Sequence, residues 1–339
     1  MSPVRHRSIS MPSRSTLRPV KGLTLVELMV SMTLSMFVVL AATVVLFSSK
    51  AGYLTVDDGT RLQESGRYAM ELISRNIRQT AFENWDKDDA PIVLADSITA
   101  SIAGLDNKTT DETQAFISPA SNGAAGAKND VLGLKFYGSG AGTSGDGTVL
   151  NCAGFGVSAP SSAASADTDR GASVFYVARS SRGDMELRCK YASDSGWNSE
   201  AIISGVDSFQ VLYGLDTTGN GIPSKYVSAS TINYLDQIQF FKIPYTIKSS
   251  EARNAEKNKI TNWKKVVAIK IALLISGSQK GRVDQQTAVY DLYGEKYSAE
   301  NAASDPGTQV REENLPADSR NRLRQLFTAT ILIRNRSAN

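Results

Sequence analysis

The chain is poor in the residues that most enzymes use. Among 339 residues there is one histidine, His6, and only two cysteines, Cys152 and Cys189. A zinc site built from several histidines is therefore excluded, and histidine acid–base catalysis would have to run through His6 itself. Two cysteines in a chain this long also exclude a disulfide-stapled miniprotein. Two further absences are local. Residues 1–22 contain no acid, although they hold Arg5, Arg7, Arg14, Arg18 and Lys21. Residues 28–49 contain no charge of either sign. The first segment has too little apolar content to bury a core and is expected to be disordered. The rest is 41% hydrophobic and 21% charged over the whole chain, an ordinary globular composition. The formal net charge of +3 reads at first as a mild attraction to nucleic acid or anionic membranes.

What is present begins at residue 23. Nineteen of the 25 residues from Leu23 to Phe47 are apolar, and Glu27 is the one charge among them. As a helix this run measures about 37 Å, enough to cross a hydrocarbon layer of roughly 30 Å. Basic residues ahead of it favour a cytoplasmic N-terminus, with the remainder of the chain on the far side. A cleaved secretory signal has a shorter apolar core and a small-residue boundary after it; here the small residue, Gly22, comes first. A plain signal anchor is the simpler alternative. Glu27 argues for more, because a carboxylate in an apolar span costs up to about 3 kcal/mol. Either it snorkels to the interface, or it meets a positive charge when helices pack.

The string Gly22-Leu-Thr-Leu-Val-Glu27-Leu resembles the processing motif of type IV prepilins. The resemblance implies cleavage by a prepilin peptidase after Gly22 and N-methylation of Leu23, where phenylalanine is commoner in the family. It also implies that Glu27 neutralises a neighbouring subunit's terminal amine during assembly. Further segments are similar to minor pilins of the PilW type: Arg61 to Leu72, Asn76 to Gln79, Gly205 to Asp216, Trp263 to Leu274 and Ile333 to Arg336. The chain departs from them at Ala81-Phe-Glu-Asn84, where many relatives carry a Gly-Cys pair. The expected function is a minor pilin that primes or tips a type IV pilus, anchored in the inner membrane and then displayed on the filament. Its expected partners are other pilins, the peptidase and the inner-membrane assembly machinery. A minor pseudopilin of a type II secretion system is the nearest alternative. An adhesin or DNA-uptake subunit displayed at the tip is another.

The remaining residues give an α+β reading of their own. Beyond the 23–47 span, residues 48–81 keep helical spacing, with Leu62, Ala69, Ile73 and Ile77 on one face. Gly52, Gly59 and Gly66 recur every seven residues on one side. They are read as a frayed or bent juncture, with close packing in a filament as the alternative. Residues 82–339 form a β-rich head. Strands are predicted at Asp130–Tyr137, Ser173–Ala178, Met185–Tyr191, Ser208–Tyr213, Val266–Ile275 and Leu326–Ile333. Several alternate as in antiparallel sheets with one solvated face. Loops rich in Gly, Ala and Ser separate them at 118–129, 138–147 and 154–171, and 295–320 is a polar connector.

Candidate sites are few. In an exported head, Cys152 and Cys189 are expected to form a disulfide, with two buried free thiols as the alternative. Asp216, Thr218 and Asn220, followed by Gly221, resemble part of a calcium loop. The position that should hold a bidentate Glu is Val227, and a plain turn explains the segment as well. Lys257, Lys259, Lys264 and Lys265 lie in a basic stretch, 242–270, read as a solvated face or a phosphate-binding surface with Tyr245 and Trp263 as its aromatics. Gly140 to Gly145 matches a dinucleotide fingerprint by letters, but no helix pattern follows it. No catalytic residue and no cofactor is expected. Cleavage after Gly22 would take His6 and five basic residues away with the leader. The 32 remaining Lys and Arg then face 34 acids, and the apparent basicity disappears.

Overall fold

No proline interrupts residues 25–79, and this stretch is one helix, α1 (Leu25–Gln79). The computed structural model describes residues 22–82, 95–120, 128–162, 165–193, 196–280 and 287–335. The expected disorder of residues 1–21, the Glu83–Asn84 part of the departure and Arg336 lie outside the described residues. By its internal contacts the chain falls into two units, one ending at Tyr53 and one starting at Leu54.

In the first unit the apolar side chains of α1 are exposed throughout, from Leu25 to Phe47. Hydroxyls along the apolar span bond within the helix. Ser31 donates to the Leu28 carbonyl at 2.9 Å, Thr33 to Val30 at 2.8 Å and Ser35 to Ser31 at 2.7 Å. Polar side chains bonded in this way present no free group to a lipid phase.

Among the described residues the second unit holds two large antiparallel sheets and one two-stranded pair. The first is β1 (Ile102–Leu105), β2 (Val131–Phe136), β3 (Gly171–Arg179), β4 (Met185–Ser193) and β5 (Gly196–Ser204), paired in that order. The second contains β6 (Val206–Leu215), β7 (Lys225–Val227), β8 (Val266–Lys280) and β11 (Arg322–Leu332), ordered β11-β8-β6-β7. Two helices, α2 (Ala229–Phe240) and α3 (Ser250–Ile260), lie between β7 and β8. A small excursion carries β9 (Val289–Asp291), α4 (Glu295–Asn301) and β10 (Gln309–Arg311). It occupies most of the predicted polar connector, 295–320.

One core joins helix and sheets. Leu62, Ala69, Ile73 and Ile77 of α1 are buried with Leu134 and Phe175 of the first sheet and Phe209, Ile269 and Ile271 of the second. The reading of one solvated sheet face fails for β6 and β8, which are buried on both faces almost throughout. The reason is the excursion, whose Leu292 and Val310 pack with Ala272 and Leu274 on the second face. Behind β3, Val174 and Tyr176 are likewise covered, by Phe116, Ile117 and Trp197.

The glycine spacing also finds a different explanation from a bent juncture: α1 is continuous through all three positions. A Cβ on Gly66 would lie 2.1 Å from the Phe327 ring, and one on Gly59 would lie 3.5 Å from Leu323. Both partners are on β11; Gly66 lets this strand seat against the helix, a Cβ on Gly59 would meet it only in ordinary contact, and Gly52 has nothing within 4 Å. Gly66→Ala gains up to about 1 kcal/mol of helix propensity, yet overpacking of this kind costs about 1–3 kcal/mol. We expect net destabilisation in a denaturant melt, reversed when Phe327→Leu is added.

α1 stops at a left-handed residue. Ala81 has φ of 57° just past the helix end, and its N–H bonds the Lys135 carbonyl at 3.1 Å. Glycine is the usual residue there, so the departure from the relatives' Gly-Cys pair leaves the turn in place at a conformational cost. Ala81→Gly should stabilise the chain by about 1 kcal/mol in the same melt.

Candidate functional site

Two constellations stand out, one in each unit. At the start of α1, Thr24 and Glu27 form a reciprocal cap. The Thr24 N–H and hydroxyl both donate to Glu27 Oε2 at 3.1 Å, and the Glu27 N–H donates to Thr24 Oγ1 at 3.2 Å. This is a capping box, in which a threonine before the first turn and a glutamate three residues on satisfy each other's orphan donors. Glu27 thus sits in the first turn of α1, where the helix dipole favours a negative charge. Sequence reasoning identified Glu27 but missed Thr24; its signal was the T-x-x-E spacing. Gly22 and Leu23 immediately precede the cap and are exposed, and nothing crowds Gly22 within 4 Å.

In the second unit, Cys152 and Cys189 are joined by a disulfide, with Cα atoms 6.0 Å apart. The bond ties the loop after Leu150 to β4, and both sulfurs belong to the core. A buried hydrogen-bond chain continues from it. The Cys152 N–H donates to Ser173 Oγ at 3.0 Å, and that hydroxyl donates to Asn76 Oδ1 at 2.8 Å. Gln79 reaches the same loop, donating to the Leu150 carbonyl at 2.7 Å. Beside Cys189, the buried Lys190 donates to the carbonyls of Asp111 and Phe116, each at 2.7 Å, and lies over the Trp197 ring. Burial lowers its pKa to about 8.

The other sequence candidates separate. Asp216 spends its carboxylate on its own turn, accepting from the N–H groups of Thr218 at 3.0 Å, Gly219 at 2.7 Å and Gly221 at 2.5 Å. Burial opposes ionisation there, but these bonds outweigh it and hold the carboxyl below its usual range. Asn220 caps Ile222 in the same way. The geometry is that of an Asx-type turn. Among the described residues, no group of three or more His, Cys, Asp or Glu is arranged to hold a metal ion.

Three of the four lysines have partners of their own. Lys257 stacks over Phe240, Lys259 pairs with Glu256 at 2.8 Å, Lys264 donates to the Asp96 carbonyl at 2.6 Å, and Lys265 is exposed. Trp263, read as a stacking aromatic, is buried and donates its indole N–H to Asn233 at 3.0 Å. Neither a tryptophan's burial nor a lysine's partner was visible in the spacing.

Buried ionisable groups elsewhere serve the fold. The guanidinium of Arg324 bridges Asp207 at 2.6 Å and Glu312 at 3.0 Å with its side chain fully enclosed. Asp305 is buried, accepts from Tyr297 at 3.1 Å and lies near Asp106. Burial first, then Asp106, raises its pKa from 3.8 to about 6. A carboxyl raised in the folded state stabilises below its unfolded pKa, and that stability is lost as pH rises through the folded value. Asp305→Asn should therefore raise the melting temperature at pH 7 and leave it nearly unchanged at pH 4.

An apolar helix capped at a prepilin-type processing motif and a disulfide-bonded antiparallel head together define a membrane-anchored, pilin-like subunit. Residues 17–43 match the family model of the prokaryotic N-terminal methylation motif, and residues 174–335 match that of the type IV pilus-assembly protein W. The two matches support a type IV pilin of the PilW type. No curated protein matches it significantly. Among solved structures, a type IV-like pilin from Thermus thermophilus is similar at 14% identity, over 81% of this chain and 97% of that one, with a TM-score of 0.35.

Proposed function

We propose that the chain is a minor pilin, cut after Gly22 by a prepilin peptidase and methylated on Leu23, that primes assembly of a type IV pilus or tips it. The observation that carries this reading is Glu27, the one charge between Leu23 and Phe47, held by Thr24 in the first turn of α1. A helix that served only as an anchor would use it for no more than the cap, whereas a subunit that packs its helix beside others also gains a handle for a neighbour's amine. The mature chain resides in the inner membrane with its head in the periplasm, and then moves into the filament with other pilins. Its role is structural, carried by helix packing and by surfaces of the head.

The direct test is a deletion strain complemented with an epitope-tagged full chain. The reading requires two results: few or no filaments in the deletion, and tag found at filament ends in far fewer copies than the main subunit. Unchanged filament numbers together with tag distributed along their length would refute it. Mass analysis of the mature N-terminus checks the cleavage and the methyl group independently.

A further inference from the structure

The large apolar side chains that the head leaves exposed are unevenly distributed. Among the described residues, Tyr234, Ile238, Phe241 and Tyr245 fall within twelve positions at the end of α2, and they are 63%, 44%, 84% and 88% exposed. The spacing of 4, 3 and 4 puts the first three on one stripe of the helix, with the fourth on the turn that follows. The opposite side of α2 is well anchored. Ile232 is buried, and Asp236 receives the Asn262 N–H at 2.6 Å and its side-chain amide at 2.8 Å. Ile243, between the two most exposed rings, is buried as well. The stripe is thus held outward on a fixed support rather than left over at a frayed end.

Its rim is basic. Lys242 and Lys248 flank the rings, and Arg253 follows in α3. None of the three takes part in the ion pairs seen among the described residues. Of the two nearby acids, Glu256 is engaged by Lys259, and Glu251 sits in the first turn of α3, where the dipole favours it. The position of the stripe in the head is also defined. α2 adjoins the Asn262–Lys265 turn that opens β8, while the far end of β8 meets α1 through Ser278, whose N–H donates to Asp58 at 3.0 Å. Twelve strand residues between these points span about 40 Å. The stripe therefore lies at the end of the head remote from Leu54, where the chain joins it.

We infer that this surface docks a protein partner, another exported protein that presents an apolar groove with an acidic rim. The inference rests on display of the chain as a pilin subunit. Helical i, i+4, i+7 anchors are the signature of a helix laid into a groove, aromatic side chains dominate the energetic centres of interfaces, and the free lysines call for carboxylates opposite them. A single-stranded nucleic acid would use the rings and the lysines, but Ile238, central in the stripe, offers no face on which a base can stack.

The test uses the full chain in its own cells, with photoreactive benzoylphenylalanine replacing Phe241 or Tyr245. Irradiation should give one discrete adduct with an exported protein whose contact peptide is acid-rich, and no such adduct from the same probe at the exposed Leu332. Lys242→Glu with Lys248→Glu should lower its yield about tenfold, and Ile238→Asp should do likewise. These side chains are exposed, so the variants test docking rather than folding. The inference is overturned if a processed, membrane-located chain gives no adduct, if the adduct is with nucleic acid or a second copy of this chain, or if its yield survives charge reversal. A chain left uncut at Gly22 would instead count against the pilin reading.

Discussion

Glu27→Ala should leave cleavage after Gly22 intact and remove the chain from assembled filaments. Two effects of the substitution have to be separated, because Glu27 does two things. In the isolated subunit it completes the cap with Thr24, and losing a cap costs about 1 kcal/mol. In the proposed assembly it faces the terminal amine of a neighbour in an apolar surrounding. Leaving such a charge without its partner costs about 3–5 kcal/mol, which corresponds to two to four orders of magnitude in association. The second effect should dominate, and conservative variants show which one is at work. Glu27→Gln keeps an oxygen for the cap but not the charge, so it should fail almost as completely as alanine. Thr24→Ala weakens only the cap, so incorporation should fall modestly. The measurement is the fraction of mature chain recovered with sheared filaments, against its level in the membrane. Normal incorporation of the glutamine variant would refute charge pairing and leave the cap as the whole role of Glu27.

The parts of this molecule that could be read from one sequence are those governed by local periodicity. The apolar run from Leu23 to Phe47 and the buried face at Leu62, Ala69, Ile73 and Ile77 followed from side-chain spacing alone. Six strands were visible for the same reason. β5 was missed because its sequence, Gly196 to Ser204, carries Trp197, Ile202 and Ile203 among polar residues and so lacks a run of β-branched or aromatic side chains. α2 and α3 were missed within a stretch read only for its charge. Yet each has a serine at its N-terminus, Ser228 and Ser249, whose hydroxyl accepts the Thr231 or Ala252 N–H; these were available stop–start signals. Contacts between distant segments left no such trace. Nothing near Gly66 announces Phe327, and nothing in β11 announces that Arg324 meets both Asp207 and Glu312. For the same reason a basic count over 242–270 showed neither the partners of Lys257, Lys259 and Lys264 nor the exposed rings of the α2 stripe.

Removal of the disulfide should be the most damaging single change to the head. Cys152 and Cys189 are 37 residues apart, and closing a loop of that length restricts the unfolded chain by about 4 kcal/mol in the chain-entropy model. For a domain of this size that amounts to roughly 8–16 °C in melting temperature. The surrounding structure makes this loss hard to recover. The loop at Cys152 has no strand of its own; besides the disulfide it is held by the Phe155 ring against Tyr191, by the backbone bonds Asn151–Phe155 and Val157–Val149, and by the side chains of Gln79, Asn76 and Ser173. With the bond cut, only these weaker contacts hold the loop, each hydrogen bond contributing about 1 kcal/mol net. We therefore expect Cys152→Ala with Cys189→Ala, and reduction of the native chain, to give similar drops. Asn76→Ala alone should give a smaller one, near 2 kcal/mol, set by a buried donor and acceptor left unmade. Combining Asn76→Ala with the alanine pair should cost more than the sum of the two, because the disulfide and the hydrogen bonds restrain the same loop. Thermal melts of the full chain in detergent, with and without reductant, provide the test: a curve unmoved by reduction would show that the polar chain suffices, and strictly additive losses would show that the two restraints act on different parts of the head.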